Sequence, residues 1–241
     1  MARSVLRTGV VLPTFRETPE AAFAAAAEAV EAGVDGLFCY DHIWPLGQPD
    51  RPALAPFPIL GALATRFTGA FVGTLVARVG LVPNAVLAAQ FTALEGLAPG
   101  RVIAGLGTGD RMSEEENRAY GIPFEPSAQR RTDLVTLARE LVAQGIAVWV
   151  AGGPAGRTEE ASAAGAALNL WDADPTLVAE RCAGGALEVT WAGPPPAATP
   201  PLAERLAALL AAGASWAVFG WPVDVGELVA GARAAGASGG G

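Results

Sequence analysis

Short β-like runs alternate with alanine-rich or amphipathic helical runs along the whole chain, and this alternation limits the possible folds most. A strand followed by a helix and then another strand returns in parallel, so repeating the unit builds a parallel sheet covered by helices. Eight strand-like runs can be read: Thr8–Leu12, Gly36–Tyr40, Ala70–Ala77, Arg101–Gly105, Ala147–Val150, Ala167–Leu170, Leu187–Trp191 and Trp216–Phe219. Helical runs lie at Pro19–Ala32, Ile59–Phe67, Ala85–Leu97, Ala128–Ala143, Thr158–Ala164, Pro175–Ala183, Pro201–Ala212 and Gly226–Ala235. Thr18 suits the cap of the first helix with Pro19 in its first turn, and Gly33, Gly145 and Gly213 suit helix ends. Eight such units in 241 residues fit an α/β chain closed into a (β/α)8 TIM barrel of nearly minimal size; a doubly wound open sheet is the alternative. No linker or charge block divides the sequence. Residues 1–237 therefore read as a single barrel domain and residues 238–241 as a disordered tail, with PPPAATPP (194–201) a loop after the seventh strand.

Composition removes several chemistries. All 16 basic residues are arginine, so no lysine can form a Schiff base, hold pyridoxal phosphate or complete a P-loop. One histidine and two cysteines, Cys39 and Cys182, make neither a metal cluster nor a disulfide framework, and they fit a reducing compartment. A net charge of −8 argues against a nucleic-acid surface. The opening MARSVLRTGVVLPTF has a short apolar patch ended by Pro13 and no small-residue cleavage site. Nor does any stretch supply the ~18 apolar residues of a membrane helix. The expectation is a soluble cytoplasmic protein with no membrane partner.

In such a barrel, function gathers in the loops after the strand C-termini. The richest run through Asp41–Phe57, Leu106–Glu125 and Ala151–Arg157. The first begins inside CYDHIWP (39–45), where the lone His42 follows Asp41, a carboxylate placed to orient it; an ordinary strand end is the plainer reading. The second begins with GLGTGD (105–110), whose glycines let backbone approach a flat or phosphorylated ligand. It is not the dinucleotide fingerprint, because Asp110 stands where the third glycine belongs. The third is AGGPAGRT (151–158), where Gly152, Gly153, Gly156 and the amides near Thr158 could hold a phosphate with Arg157, or simply form a glycine-rich turn. Glu114-Glu115-Glu116 reads as a solvated acidic helix start, and Arg130 and Arg131 read as surface residues. Most tryptophans at strand ends read as core, with Trp221 a possible pocket residue.

Several segments together resemble the luciferase-like flavin and deazaflavin oxidoreductases. They are GVVLP, EAVEAGVDGLFCYDHIWP, VGTLVARVGLVPNAVLAAQFTALEGLAPGRVIAGLGTGD, VWVAGGPAGRTEEASAAGA and GASWAVFGWPVD, covering nearly the whole chain. The resemblance implies a (β/α)8 barrel binding coenzyme F420 or FMN at the strand C-termini, with F420 preferred. It makes His42 the general acid/base beside the reactive ring edge, with Asp41 orienting it, and Asp110 a proton partner. Thr74, Leu75 and Val76 match a bulge behind the ring, with a non-proline cis peptide at Leu75–Val76. Thr108 and Gly109 match contacts to the cofactor chain, and Gly152, Gly153, Gly156, Arg157 and Thr158 match the phosphate loop. Trp44, Phe57 and Trp221 are expected to line an apolar substrate pocket.

The chain also departs from the family pattern. A long excursion usual before strand five is missing, since Leu141–Ile146 passes almost directly into VWVAG. The site should be more open, or closed by a partner subunit in a homodimer. The lysines that hold sugar phosphate in dehydrogenase relatives cannot be present, and Trp44 lies closer to the histidine than in those enzymes. The expected activity is hydride transfer between the cofactor and a small organic substrate. FMN-dependent monooxygenation, a non-catalytic flavin-binding barrel and a phosphate-handling isomerase are the other readings.

Overall fold

The computed structural model describes residues 5–45, 47–152, 157–185 and 187–238. Its elements run β1 (Arg7–Val11), α1 (Glu20–Ala32), β2 (Gly36–Cys39), α2 (Pro56–Arg66), β3 (Phe71–Arg78), α3 (Asn84–Leu97), β4 (Val102–Gly107), α4 (Arg111–Ala119) and α5 (Ser127–Ala143). They continue through β5 (Ala147–Gly152), α6 (Thr158–Ala164), β6 (Ala167–Trp171), α7 (Pro175–Cys182), β7 (Val189–Gly193), α8 (Leu202–Ala211), β8 (Trp216–Gly220) and α9 (Val225–Ser238). All neighbouring strands are parallel, and β8 returns to β1 from Arg7↔Trp216 to Val11↔Gly220, so the sheet closes in sequence order. Each expected strand is present, and the open-sheet alternative is removed. Residues 239–241 lie outside the described residues, and α9 reaches Ser238, where the tail was expected to begin.

Helix ends follow the expected chemistry at their C-termini more closely than at the first N-terminus. Gly33, Gly145 and Gly213 follow α1, α5 and α8 with φ of 94°, 82° and 97°, a backbone region that disfavours a Cβ. Thr18 does not cap α1: the cap position belongs to Pro19, which makes no side-chain bond.

The strands divide their side chains between two cores. Outward residues such as Leu37, Val72, Val150 and Leu168 pack with Leu63, Phe91, Leu137 and Leu206 of the helices. Inward residues form a separate cluster around Phe38, Trp149 and Trp216. Phe38 stacks on Trp149 at 5.2 Å and meets Trp216 edge-on at 6.1 Å, while Trp149 and Trp216 meet at 5.3 Å. A Cβ at Gly9 or Gly36 would lie 2.8 Å from the Phe38 ring, so glycine at both positions makes space for it. Below these rings the Arg7 guanidinium sits over Phe71 and Trp216 at 5.2 and 5.5 Å. The three rings thus seal the N-terminal half of the barrel.

Above them the inward positions turn small. Gly105 and Gly107 on β4, Ala151 on β5 and Ala192 on β7 leave the interior open toward the strand C-termini. The β3–β4 register shifts between Thr74 and Ala77, and Leu75–Val76 is a non-proline cis peptide, at the position the family resemblance implied.

Helix α4 lies where the acidic run reads as a helix start, but outside the eight helical runs. Its buried residues are Ser113, Glu116 and Asn117, a polar face at helical spacing, so no apolar stripe announces it in the sequence. Connecting α5 to β5 takes only residues 144–146, in agreement with the missing excursion.

Candidate active site

His42 leaves the end of β2 with 21% of its side chain exposed, and its Nδ1 stands 3.1 Å from Glu116 Oε2. The orienting carboxylate is therefore Glu116 and not Asp41, contrary to expectation. Asp41 instead accepts the Arg78 backbone N–H at 3.1 Å, tying the exit of β2 to the end of β3. Burial pushes the Asp41 carboxyl above its ordinary range against the pull of that bond and of the Arg78 and His42 charges.

Glu116 is the most heavily engaged group of this mouth. The side chain is 0% exposed, which corrects the expectation that Glu114–Glu116 is a solvated run. Its Oε1 accepts the backbone N–H of Ile43 at 2.9 Å and of Trp44 at 3.3 Å, and its Oε2 accepts from Arg78 Nη1 as well as facing His42. Burial alone would raise the carboxyl. The His42 bond and the charge and bond of Arg78 outweigh it and hold the pKa at about 2. Arg78 is itself buried, and its Nε and Nη2 find no hydrogen-bond partner among the described residues.

A second cluster forms where β4 ends. A Cβ at Gly105 would lie 2.1 Å from the Thr74 carbonyl, and one at Gly107 would lie 2.6 Å from Val76, so only glycine admits the β3 bulge. The Thr74 hydroxyl donates to the Gly105 carbonyl at 2.8 Å, and Leu75 is buried beside it. Thr108 then collects two arginines: Arg130 Nε donates to its carbonyl at 2.8 Å, and Arg157 Nη2 donates to its hydroxyl at 2.6 Å. Arg130, expected at the surface, is buried and lies 3.8 Å over the Phe124 ring. Burial first, then the nearby positive charge, lowers the pKa of both guanidinium groups.

Asp110 does not meet His42. It is exposed and caps α4, with Oδ1 accepting the Ser113 N–H at 3.0 Å and Oγ at 3.1 Å. The acid expected to be a proton partner is a helix cap, and the acid that reaches the imidazole lies on the helix it starts. Gly109 precedes it at φ +68°, and Gly152 ends β5 before Arg157 and Thr158 open α6. Gly153 and Gly156 lie outside the described residues.

Four rings cross the mouth. Phe15 stacks on Tyr40 at 5.4 Å and 4°, His42 stands 6.2 and 6.4 Å from the pair, and Tyr40 meets Trp171 edge-on at 6.4 Å. Because β2 and β6 lie on opposite sides of an eight-stranded barrel, the Tyr40–Trp171 contact spans the opening. Trp171 is 43% exposed, so it is not the core residue that was expected.

The three residues expected to line the pocket are placed elsewhere. Trp44 is buried against Tyr120 at 5.6 Å, and Phe57 meets Phe91 at 5.0 Å between α2 and α3. Trp221 packs on the outer core and lines a groove of about 660 Å³ with Glu28, Pro196 and Pro222. Two signals would have found the actual set. Ser113, Glu116 and Asn117 share one helical face after a cap residue, and Tyr40 and Trp171 carry the inward parity of β2 and β6.

Comparison with known proteins agrees with this architecture. The chain is 32% identical over 150 residues to the F420-dependent glucose-6-phosphate dehydrogenase of Beutenbergia cavernae, a match covering 60% of this chain and 41% of that protein. It is 29% identical over 136 residues to the F420-dependent hydroxymycolic acid dehydrogenase of Mycobacterium tuberculosis, covering 55% and 37%. The chain thus spans less than half the length of these curated relatives. Among solved structures, an F420-dependent secondary alcohol dehydrogenase in complex with an F420–acetone adduct superposes with TM-score 0.73 at 14% identity, over 93% of this chain and 96% of that one. The coenzyme F420-dependent tetrahydromethanopterin reductase of Methanopyrus kandleri gives 0.65 at 13%, over 97% of each. These two share the fold. No helix among the described residues is long and apolar enough to cross a membrane. Residues 5–181 match the model of the luciferase-like monooxygenases, and this chain belongs to that family.

Proposed function

We propose that this chain is an F420-dependent oxidoreductase that moves a hydride between the deazaflavin and an uncharged, apolar organic substrate. One observation carries the reading: a glycine-relieved, arginine-backed corner shares a barrel mouth with the only histidine of the chain. The residues present fit the cofactor in two respects. Glycine at 105 and 107 lets the β3 bulge at Thr74–Val76 lie directly against β4, forming the surface that would back the ring. Arg157, already on Thr108 Oγ1, stands ready to offer a charge-assisted bond to a phosphate. The two curated relatives are F420-dependent dehydrogenases, which favours F420 over FMN.

In this reading Leu75 and Val76 back the ring, and Thr74 holds their bulge through its bond to Gly105. Thr108, Gly109, Gly152, Arg157 and Thr158 hold the phosphate-bearing chain. When bound, the deazaflavin supplies a two-electron centre that exchanges hydride. Phe15, Tyr40 and Trp171 offer ring faces to an apolar substrate and exclude water from it. His42 moves the substrate proton, while Asp41 and Asp110 position the loops on either side. The proposal extends to a cytoplasmic homodimer, supported by the exposed Val86 and Leu97 of α3 and checked by sedimentation of the purified chain.

Titration of the purified chain with F420 and, separately, with FMN tests the proposal by absorbance and fluorescence. Saturable binding of F420 is the expected result. Binding of FMN alone moves the chain to the monooxygenase reading, and binding of neither removes the flavin-type reading altogether.

A further inference from the structure

Glu116 faces four groups, and three of them can only donate: the N–H of Ile43, the N–H of Trp44 and the Arg78 guanidinium. A carboxylate surrounded in this way is an acceptor at every contact. The fourth contact, at 3.1 Å from His42 Nδ1, must then carry its proton on the imidazole. In the neutral ring this leaves Nε2 bare, and no hydrogen bond reaches that nitrogen from the described residues. A free histidine prefers the opposite tautomer, with the proton on Nε2. We propose that Glu116 is the positioning residue of the mouth, fixing His42 as the Nδ1–H tautomer so that Nε2 is the nitrogen that takes and returns the substrate proton.

The inference rests on the reading of His42 as the acid/base group and names how that group is set. Proton transfer breaks a substrate O–H bond and forms Nε2–H, leaving an imidazolium. That cation then gains a charge-assisted bond to Glu116 at Nδ1, so the carboxylate orients the neutral ring and stabilises the charged one. Arg78 has a distinct part: together with the His42 bond its guanidinium outweighs burial and keeps Glu116 ionised, and only the ionised carboxylate forces the proton onto Nδ1. The charged groups facing the ring are Glu116 from α4, Arg78 from β3 and the neighbouring Asp41. Because Oε1 also holds the amides of Ile43 and Trp44, α4 fixes both the loop and the ring it carries. The missing apolar stripe of α4 follows from this task, since its buried face binds a loop through charge.

His42 is the only histidine, so its ring nitrogens can be read without assignment in the full chain labelled with ¹⁵N. Two-bond ¹H–¹⁵N correlations, recorded as pH is raised until the pattern stops changing, report the neutral tautomer. The expected pattern is a protonated Nδ1 and an unprotonated Nε2 in the wild type. In Glu116→Gln the side-chain carbonyl can still accept from the Ile43 and Trp44 amides while its NH2, a donor, takes the place of the oxygen facing Nδ1, so the pattern shifts away from the Nδ1–H form. An Nε2–H tautomer in the wild type overturns the proposal, and so does an unchanged tautomer in a folded Glu116→Gln. If the variant does not fold, the wild-type spectrum decides alone. The spectrum needs neither cofactor nor substrate. A chain that binds no F420 can still give the predicted tautomer, and a chain that binds F420 can still refute it.

Discussion

At the floor of the barrel, Phe38, Trp149 and Trp216 touch through ring faces and edges among apolar residues and glycines, with the charged Arg7 guanidinium beneath Trp216. At the mouth, the buried groups include Glu116, Arg78, Arg130, Thr74 and Thr108, each held by directed bonds. The floor gains stability from non-directional burial, which tolerates no loss of volume but specifies no chemistry. The mouth keeps less of that gain: desolvating Glu116 and Arg78 is costly, and their bonds must offset that cost before they add stability. The same strands serve both ends, so variants at either end can separate the two roles.

The largest effect belongs to the floor. Trp149→Ala should lower the free energy of unfolding by about 3–5 kcal/mol in denaturant titration, the usual cost of removing a buried tryptophan. A loss well under 1 kcal/mol would mean that the rings do not carry the lower core. Next comes acid sensitivity at the mouth. Glu116 has its pKa held near 2, against an ordinary 4.5. The stabilisation it contributes is complete above about pH 4.5 and is lost as pH falls through about 2, on the order of 3 kcal/mol in all. Glu116→Gln should flatten that acid slope, and because the Glu116 charge is one of the causes that raise Asp41, the opposite slope from Asp41 becomes smaller in the variant as well. His42→Ala should lower turnover by roughly 10²-fold or more yet change stability by only about 1 kcal/mol, because Glu116 keeps three other partners.

Two smaller effects sharpen the contrast within the mouth. Arg157→Ala should weaken F420 binding about tenfold, the loss of one charge-assisted bond, as read by fluorescence titration. Equal affinity would return Arg157 to a structural role on Thr108. Asp110→Ala should cost about 1 kcal/mol of stability as a lost helix cap, with turnover within a few fold of wild type. A large fall in turnover would restore Asp110 as a proton partner.

The floor was more legible in the sequence than the mouth, for the same physical reason. Hydrophobic periodicity announces any element whose buried face is apolar, and that covers all eight strands and the helices that pack on them. α4 buries Ser113, Glu116 and Asn117 instead, so its acidic run looks solvated. Arg130 looks like a surface cation until Phe124 and the Thr108 carbonyl are brought to it by the turn into α5. His42 could be singled out as the one histidine at a strand exit, but its carboxylate partner lies far along the chain on another element. Trp44 and Phe57 turn into the packing and Trp221 toward an outer groove, because sequence position at an exit loop does not fix which way a ring turns. Tyr40 and Trp171, one residue past β2 and the last of β6, have the parity that does.

The central claim is that cofactor and His42 share one mouth, and the lone histidine makes it directly measurable. F420 is added to the ¹⁵N-labelled chain while absorbance and the His42 ring resonances are followed together. The account predicts that the resonances shift and saturate in step with binding. Saturable binding of F420 with the His42 signals unmoved would contradict it.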